Sequence, residues 1–155
     1  MSLEKAKIHL EKFGLADRIH EFDVSSATVE LAAKALGCGE AEIAKSMAFI
    51  VDDKPIIVVC AGDTKIDNSK FKAMFHTKAK MIGFDELEPL IGHAAGGVCP
   101  FGVNDGVRVY LDESLKRFDT VYPAAGTANS AVRLTPAELE KASLMTAWVD
   151  VTKMM

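Results

Sequence analysis

Two features of this chain combine residue types that can do chemistry: a lysine at the head of an apolar run, and a loop rich in glycine. Lys45 opens the run KSMAFIV. At the period of two of a strand it shares a face with Met47, Phe49 and Val51, which places a cation at the end of an apolar stripe. Such a lysine can be a fixed positive charge, at the mouth of a pocket, for a phosphate or a developing oxyanion. It can also be a snorkelling side chain at a sheet edge, or one paired with Asp63. The loop, GHAAGGVCPFGVNDG at 92–106, has five glycines in fifteen residues, and Pro100 stiffens one point in it. A backbone free of Cβ atoms comes close to a ligand and can aim several N–H groups at one oxygen, such as that of a phosphate or an ester carbonyl. The plain alternative is a tight connection between a helix and a strand.

Other chemistries find less support. Cys99 and His93 both lie in the loop, but no signature of the cysteine hydrolases surrounds them. There is no GxSxG elbow, no phosphate-binding loop ending in GK[ST], and no GxGxxG. The histidines at 9, 20, 76 and 93 share no metal-ligand spacing, so neither a metal nor another cofactor is expected. Cys38, Cys60 and Cys99 are odd in number and far apart, which argues against a disulfide framework and fits a reducing compartment. Ser46 reads as a small inward residue that makes room beside Lys45, with a hydroxyl able to touch substrate. Lys65, Lys70, Lys72, Lys78 and Lys80 form the densest positive stretch, either a solvated face or a contact for nucleic-acid backbone.

The elements that would position these groups are legible in outline. Ser2 to Phe13 has helical spacing with Gly14 as a stop; a strand follows at Ile19–Val24; Ser26 is a suitable N-cap for a helix Ala27–Leu36 closed by Gly37. The runs MAFIV and IIVVCAGD are apolar at nearly every position, as in strands covered on both faces. A turn over Asp52–Pro55 would set Val51 opposite Ile56, and Lys45 opposite Gly62 and beside Asp63. Helices are expected at Asn68–Thr77 and from Asp85 to Gly92, then strands at Val107–Leu111, Thr120–Ala124 and Ala131–Leu134. Thr135, Pro136 and Glu138 give the N-cap, the N1 proline and the capping-box glutamate of a last helix. A strand at Ala147–Val151 closes the order.

With 155 residues, 49% hydrophobic and 26% charged, the chain fits one domain over residues 1–155. Helices and strands mix without strict alternation around at least one hairpin, which predicts an α+β fold with a mixed, mostly antiparallel central sheet flanked by helices. No apolar run is long enough for a bilayer and the first residues are charged, so no membrane contact and a cytoplasmic location are expected. Eighteen basic against 22 acidic side chains give a net charge of −4, which disfavours broad attachment to nucleic acid.

The combination AKSMAFIVDDKPIIVVCAGD, DNSKFK, GGVCPFG, YLDESL and AGTANSAVRLTPAEL, in this order and spacing, resembles the YbaK family, the editing domain associated with prolyl-tRNA synthetase. The similarity runs from about Val24 to the C-terminus, and the short N-terminal helix resembles free-standing members. It implies an α+β fold and hydrolysis of the ester between a wrong amino acid and the tRNA 3′ end, the substrate being prolyl tRNA carrying a small residue such as cysteine or alanine. It also implies that Lys45 is the essential lysine, holding the 3′-terminal phosphate or ribose, and that amides near Gly97 and Gly102 polarise the ester carbonyl. Ser46, Asp63, Gly96, Cys99, Pro100 and Phe101 would then bind substrate. The partners implied are the tRNA acceptor end and prolyl-tRNA synthetase. No side-chain general base stands out, which suits a mechanism dominated by positioning. Two other readings stay open: a catalytically weak module that binds an aminoacyl or nucleotide end and docks on a synthetase, and a hydrolase of some other small ester.

Overall fold

The computed structural model describes residues 2–22 and 28–155. Among them are helices α1 (Ser2–Glu11), α2 (Val29–Leu36), α3 (Asn68–Phe75), α4 (Leu87–Ile91) and α5 (Pro136–Ala142). The strands are β1 (Ile19–Glu21), β2 (Ile43–Val51), β3 (Lys54–Ala61), β4 (Thr64–Ile66), β5 (Arg108–Asp112), β6 (Tyr122–Pro123), β7 (Ser130–Val132), β8 (Ala147–Val149) and β9 (Thr152–Met154). Ser26 and the end of the expected first strand lie outside the described residues. The cap of α2 is Thr28, whose hydroxyl accepts from the N–H of Leu31 at 3.1 Å. α5 has the capping box read from its sequence: Thr135 accepts from the Glu138 N–H, and the Glu138 carboxylate accepts from the Thr135 N–H.

The central sheet has five strands in the order β6-β2-β3-β5-β8. It is mixed, as expected, but β2 and β3 are its only antiparallel neighbours; the pairs β2/β6, β3/β5 and β5/β8 are parallel. The reason is connectivity. The chain travels from β3 to β5 through α3, α4 and the glycine loop, and from β5 to β8 through α5, and parallel neighbours require crossovers of that length. The antiparallel ribbons β1/β7 and β4/β9 lie outside this sheet.

The β2/β3 hairpin corrects the expected register. Its turn is Asp52–Asp53 alone, both at positive φ (53° and 63°), so Val51 pairs with Lys54 and Lys45 with Cys60. Two consecutive residues in the left-handed region give the primed turn whose twist suits a hairpin, and aspartate tolerates that region better than most side chains. Alternation along the strands then fills both faces of the sheet. Ala44, Ala48, Ile57 and Val59 join the larger core with Leu111 and Leu134, while Phe49, Ile56 and Val58 join a second core with Phe71, Phe75 and Val151. Side chains from Ile57 to Ala61 are fully buried, which accounts for the unbroken apolar run in β3. The strand expected at Ala147–Val151 ends at Val149: the buried Asp112 carboxylate accepts from the N–H of Val151 (2.9 Å) and the hydroxyl of Thr152 (2.8 Å), and the chain passes on into a further strand, β9. No helix of the described residues is long and apolar enough to cross a membrane.

Candidate active site

The site begins with a gap in a sheet edge. On its outer side β2 pairs with β6 at Ile43 and Ala44. Further along, the Ala48 carbonyl accepts from the N–H of Ile82 and the Ile50 N–H donates to the Lys80 carbonyl, both at 3.0 Å. Outward-pointing backbone groups recur every second residue, so those between the two pairings belong to Ser46. The Ser46 main chain therefore faces an opening in the edge, and its Oγ is buried with no hydrogen-bond partner. The opening is a cavity of about 230 Å³, with Lys45 and Ser46 on its strand side and Gly96 on its loop side. Apolar walls come from Val29, Ala32, Ile43, Ile82, Leu87 and Val98.

Lys45 lines this cleft half-buried, and its ammonium donates to the carbonyl oxygen of Thr64. Asp63 is not its partner. The Asp63 carboxylate is gripped by both terminal nitrogens of Arg117, at 2.6 and 3.1 Å, and that guanidinium holds its pKa below the usual carboxylate range. Asp63 is also absent from the cleft lining. The register shift moves it away: Lys45 lies across from Cys60, and the chain turns at Gly62 before Asp63. Gly62 is tightly packed, because a Cβ there would meet the Glu40 carbonyl oxygen at 2.0 Å. Lys45 thus lines the cleft without a direct ion pair among the described residues, while its charge is still felt at Asp63.

The glycine loop divides among three surroundings. Gly96, exposed and at φ 86°, lines the cleft with Ala95 and Val98, and its N–H has no backbone acceptor among the described residues. Gly97 is buried, and its N–H donates to the Ala94 carbonyl at 3.0 Å. Its need for glycine is close approach: a Cβ there would lie 2.4 Å from the Gly126 carbonyl oxygen. Gly102 faces away from the cleft toward α1, where its N–H donates to Nδ1 of His9 at 3.1 Å and a Cβ would meet the Lys5 carbonyl at 2.6 Å. Pro100 shares that side, while Cys99 and Phe101 are fully buried. Of the loop positions marked in the sequence, only Gly96 is brought to Lys45 and Ser46; the Gly97 and Gly102 amides are already committed within the fold.

His93 and Cys99 do meet, with Nε2 and Sγ 3.5 Å apart, but in a sealed interior. Burial pushes the Cys99 thiol up to about 12, far from a thiolate at neutral pH. His93 Nε2 donates to the Phe101 carbonyl at 2.6 Å, and burial pulls its pKa down. Nδ1 is then left as a buried acceptor without a donor. The pair fastens the loop and carries none of the features of a nucleophile.

Two parts of the cleft escaped the sequence. The stretch 80–82 carries no strand pattern, yet its bonds to Ala48 and Ile50 define one end of the gap. Tyr122, on the other wall, lies in the strand expected at Thr120–Ala124, here two residues long, and nothing in that stretch marks it as a cleft residue. Lys45 and Tyr122 are the ionisable side chains among the described residues lining the cleft, so what the cleft offers chemically is binding and polarisation.

A half-buried lysine, an open strand edge and a glycine loop thus surround one small, largely apolar cavity. Residues 23–142 match the aminoacyl-tRNA editing domain, and the chain belongs to that family, of the YbaK type. It is 47% identical to the uncharacterized protein YwhH of Bacillus subtilis (strain 168), over 99% of this chain and 98% of that one. It is 26% identical to the proline–tRNA ligase of Lactiplantibacillus plantarum (strain ATCC BAA-793 / NCIMB 8826 / WCFS1), over 80% of this chain but 22% of the ligase. A crystal structure of a protein proposed as a trans-editing enzyme for prolyl tRNA synthetase superposes with a TM-score of 0.88 and 28% identity, covering 98% of this chain and 97% of that one.

Proposed function

We propose that the chain is a deacylase acting in trans in the cytoplasm: it hydrolyses the ester that joins a small, wrongly attached amino acid to the 3′ end of prolyl tRNA. The observation that carries this reading is the cleft itself, where Lys45, which makes no direct ion pair with a described residue, stands beside the open main chain of Ser46 and the amide of Gly96. Lys45 would leave the Thr64 carbonyl for the phosphate or ribose of the terminal nucleotide. The Gly96 N–H and Ser46 would hold the ester carbonyl and the amino acid. Water oxygen then bonds to the carbonyl carbon, the bond to the ribose oxygen breaks, and the proton released by water ends on that oxygen, giving free amino acid and intact tRNA. With no carboxylate or imidazole among the described residues lining the cleft, water or a group on the substrate moves the proton, and the site contributes orientation and a stabilised oxyanion.

The apolar walls and a volume of about 230 Å³ favour a small side chain over a large one. The similarity to proline–tRNA ligases, and to a protein proposed to edit in trans for such an enzyme, supports prolyl tRNA as the carrier and prolyl-tRNA synthetase as a partner. The test charges one prolyl tRNA separately with alanine, cysteine, serine and proline and follows loss of each ester with the wild-type protein. Clearance of one small mischarged residue with proline spared is the expected result. Equal survival of all four contradicts the proposal.

A further inference from the structure

The cleft has a neighbour. On the other side of Tyr122, which lines both, lies a groove of about 630 Å³ whose charged groups are Arg18, Arg133 and, opposing them, Asp17, with the His20 imidazole beside them. Phe22 supplies a second aromatic wall. The two arginines meet at one end of the β1/β7 ribbon: His20 pairs with Ala131 within it, and just beyond it the Arg133 N–H donates to the Arg18 carbonyl at 3.3 Å. Arg18 spends part of its guanidinium on Glu138, at 2.5 Å. Arg133 is exposed and its side chain has no ion pair or hydrogen bond to any described residue. Its charge reaches the Tyr122 phenol, where it opposes the upward push that burial gives that hydroxyl.

Cations along a groove with aromatic walls form the general pattern for an unpaired nucleotide strand, phosphates on the arginines and bases against the rings. We infer that this groove binds the single-stranded nucleotides that precede the aminoacylated one, with Arg133 on a phosphodiester and Phe22 and Tyr122 against a base. The inference rests on the proposed reading of the cleft and extends it: a strand whose last residue enters the cleft passes Tyr122 into the groove. The competing basic surface is the one around Lys72 and Lys78, whose cavity shares no lining residue with the cleft. The overall charge of −4 makes a local contact of this kind necessary for any grip on RNA.

The test is fluorescence anisotropy with a 5′-labelled, uncharged RNA oligonucleotide that ends in the unpaired 3′ sequence of a tRNA, titrated at several salt concentrations. Arg133→Glu should weaken binding at least tenfold. Arg133→Gln should weaken it less and lower the slope of log affinity against log salt by about 0.7, the value for one phosphate on a single strand. Lys78→Glu should leave binding unchanged. Thermal melts of both Arg133 variants check folding, and the exposed position of Arg133 leaves the Gln variant as the decisive one. Wild-type affinity in the Arg133 variants, no salt-dependent binding by the wild type, or a loss seen with Lys78→Glu instead would overturn the assignment. Binding through Arg133 by a protein that clears no aminoacyl ester would support the groove while contradicting the hydrolase.

Discussion

Ser46 and His93 each hold a buried polar atom with no partner, Oγ in one and Nδ1 in the other, and the two atoms have different consequences. Ser46 sits at the cleft, where a substrate could satisfy it. Ser46→Ala removes a hydroxyl that makes no bond in the free protein, so the melting temperature should stay level or rise. Deacylation should slow by about fivefold, the worth of one neutral hydrogen bond. A lower melting temperature with an unchanged rate would make the hydroxyl structural. His93 has no access to the cleft, and its burial favours the neutral ring. Its folded pKa lies below the ordinary value near 6.5, so it contributes stability above about pH 6.5 that is lost as the pH falls below it and the unfolded chain takes up the proton. Urea unfolding of the wild type and His93→Gln from pH 7.5 to 5 should show a steeper acid loss in the wild type. Parallel curves would remove His93 from the account.

At the scale of elements, the glycine loop works because two anchors leave one part of it free. α1 holds the far end through His9 and Gly102, while Lys5 donates to the Gly92 carbonyl at 3.4 Å. Gly97 presses against the Gly126 segment. Gly97→Val would push a side chain into that backbone, at a cost of about 1–3 kcal/mol typical of overpacking. A lower urea midpoint together with slower deacylation is expected; an unchanged midpoint would mean that the two segments can part freely. The sequence showed that this loop mattered but not which amides remain available, since turn bonds and a histidine from the other end of the chain decide that. It also placed Lys45 on the right strand with the wrong neighbour. An Asp-Asp turn is a weak signal beside the Lys and Pro that follow, and two residues of register separate a Gly62 partner, with Asp63 beside it, from a Cys60 one. β4 and β9, three residues each, are too short to show a period, and they exist because they pair with each other.

Taken as a whole, the molecule wraps a buried sheet and leaves a stretch of the β2 edge open, with Lys45, Ser46 and Gly96 gathered there. The α+β class, the central hairpin and the capped last helix were legible because each rests on local pattern. The parallel share of the sheet was not, because strand direction depends on crossovers whose partners are far apart in sequence. The central claim is that Lys45 at this open edge serves an aminoacyl ester. The most direct test is the deacylation rate of Lys45→Ala beside that of the wild type, on the mischarged tRNA the wild type clears, with a thermal melt of each. Removing a fixed charge from a reacting centre should cost about a hundredfold or more in rate, with the melting temperature retained, since the half-buried side chain holds only the Thr64 carbonyl. A folded variant that clears the ester at the wild-type rate would contradict the claim.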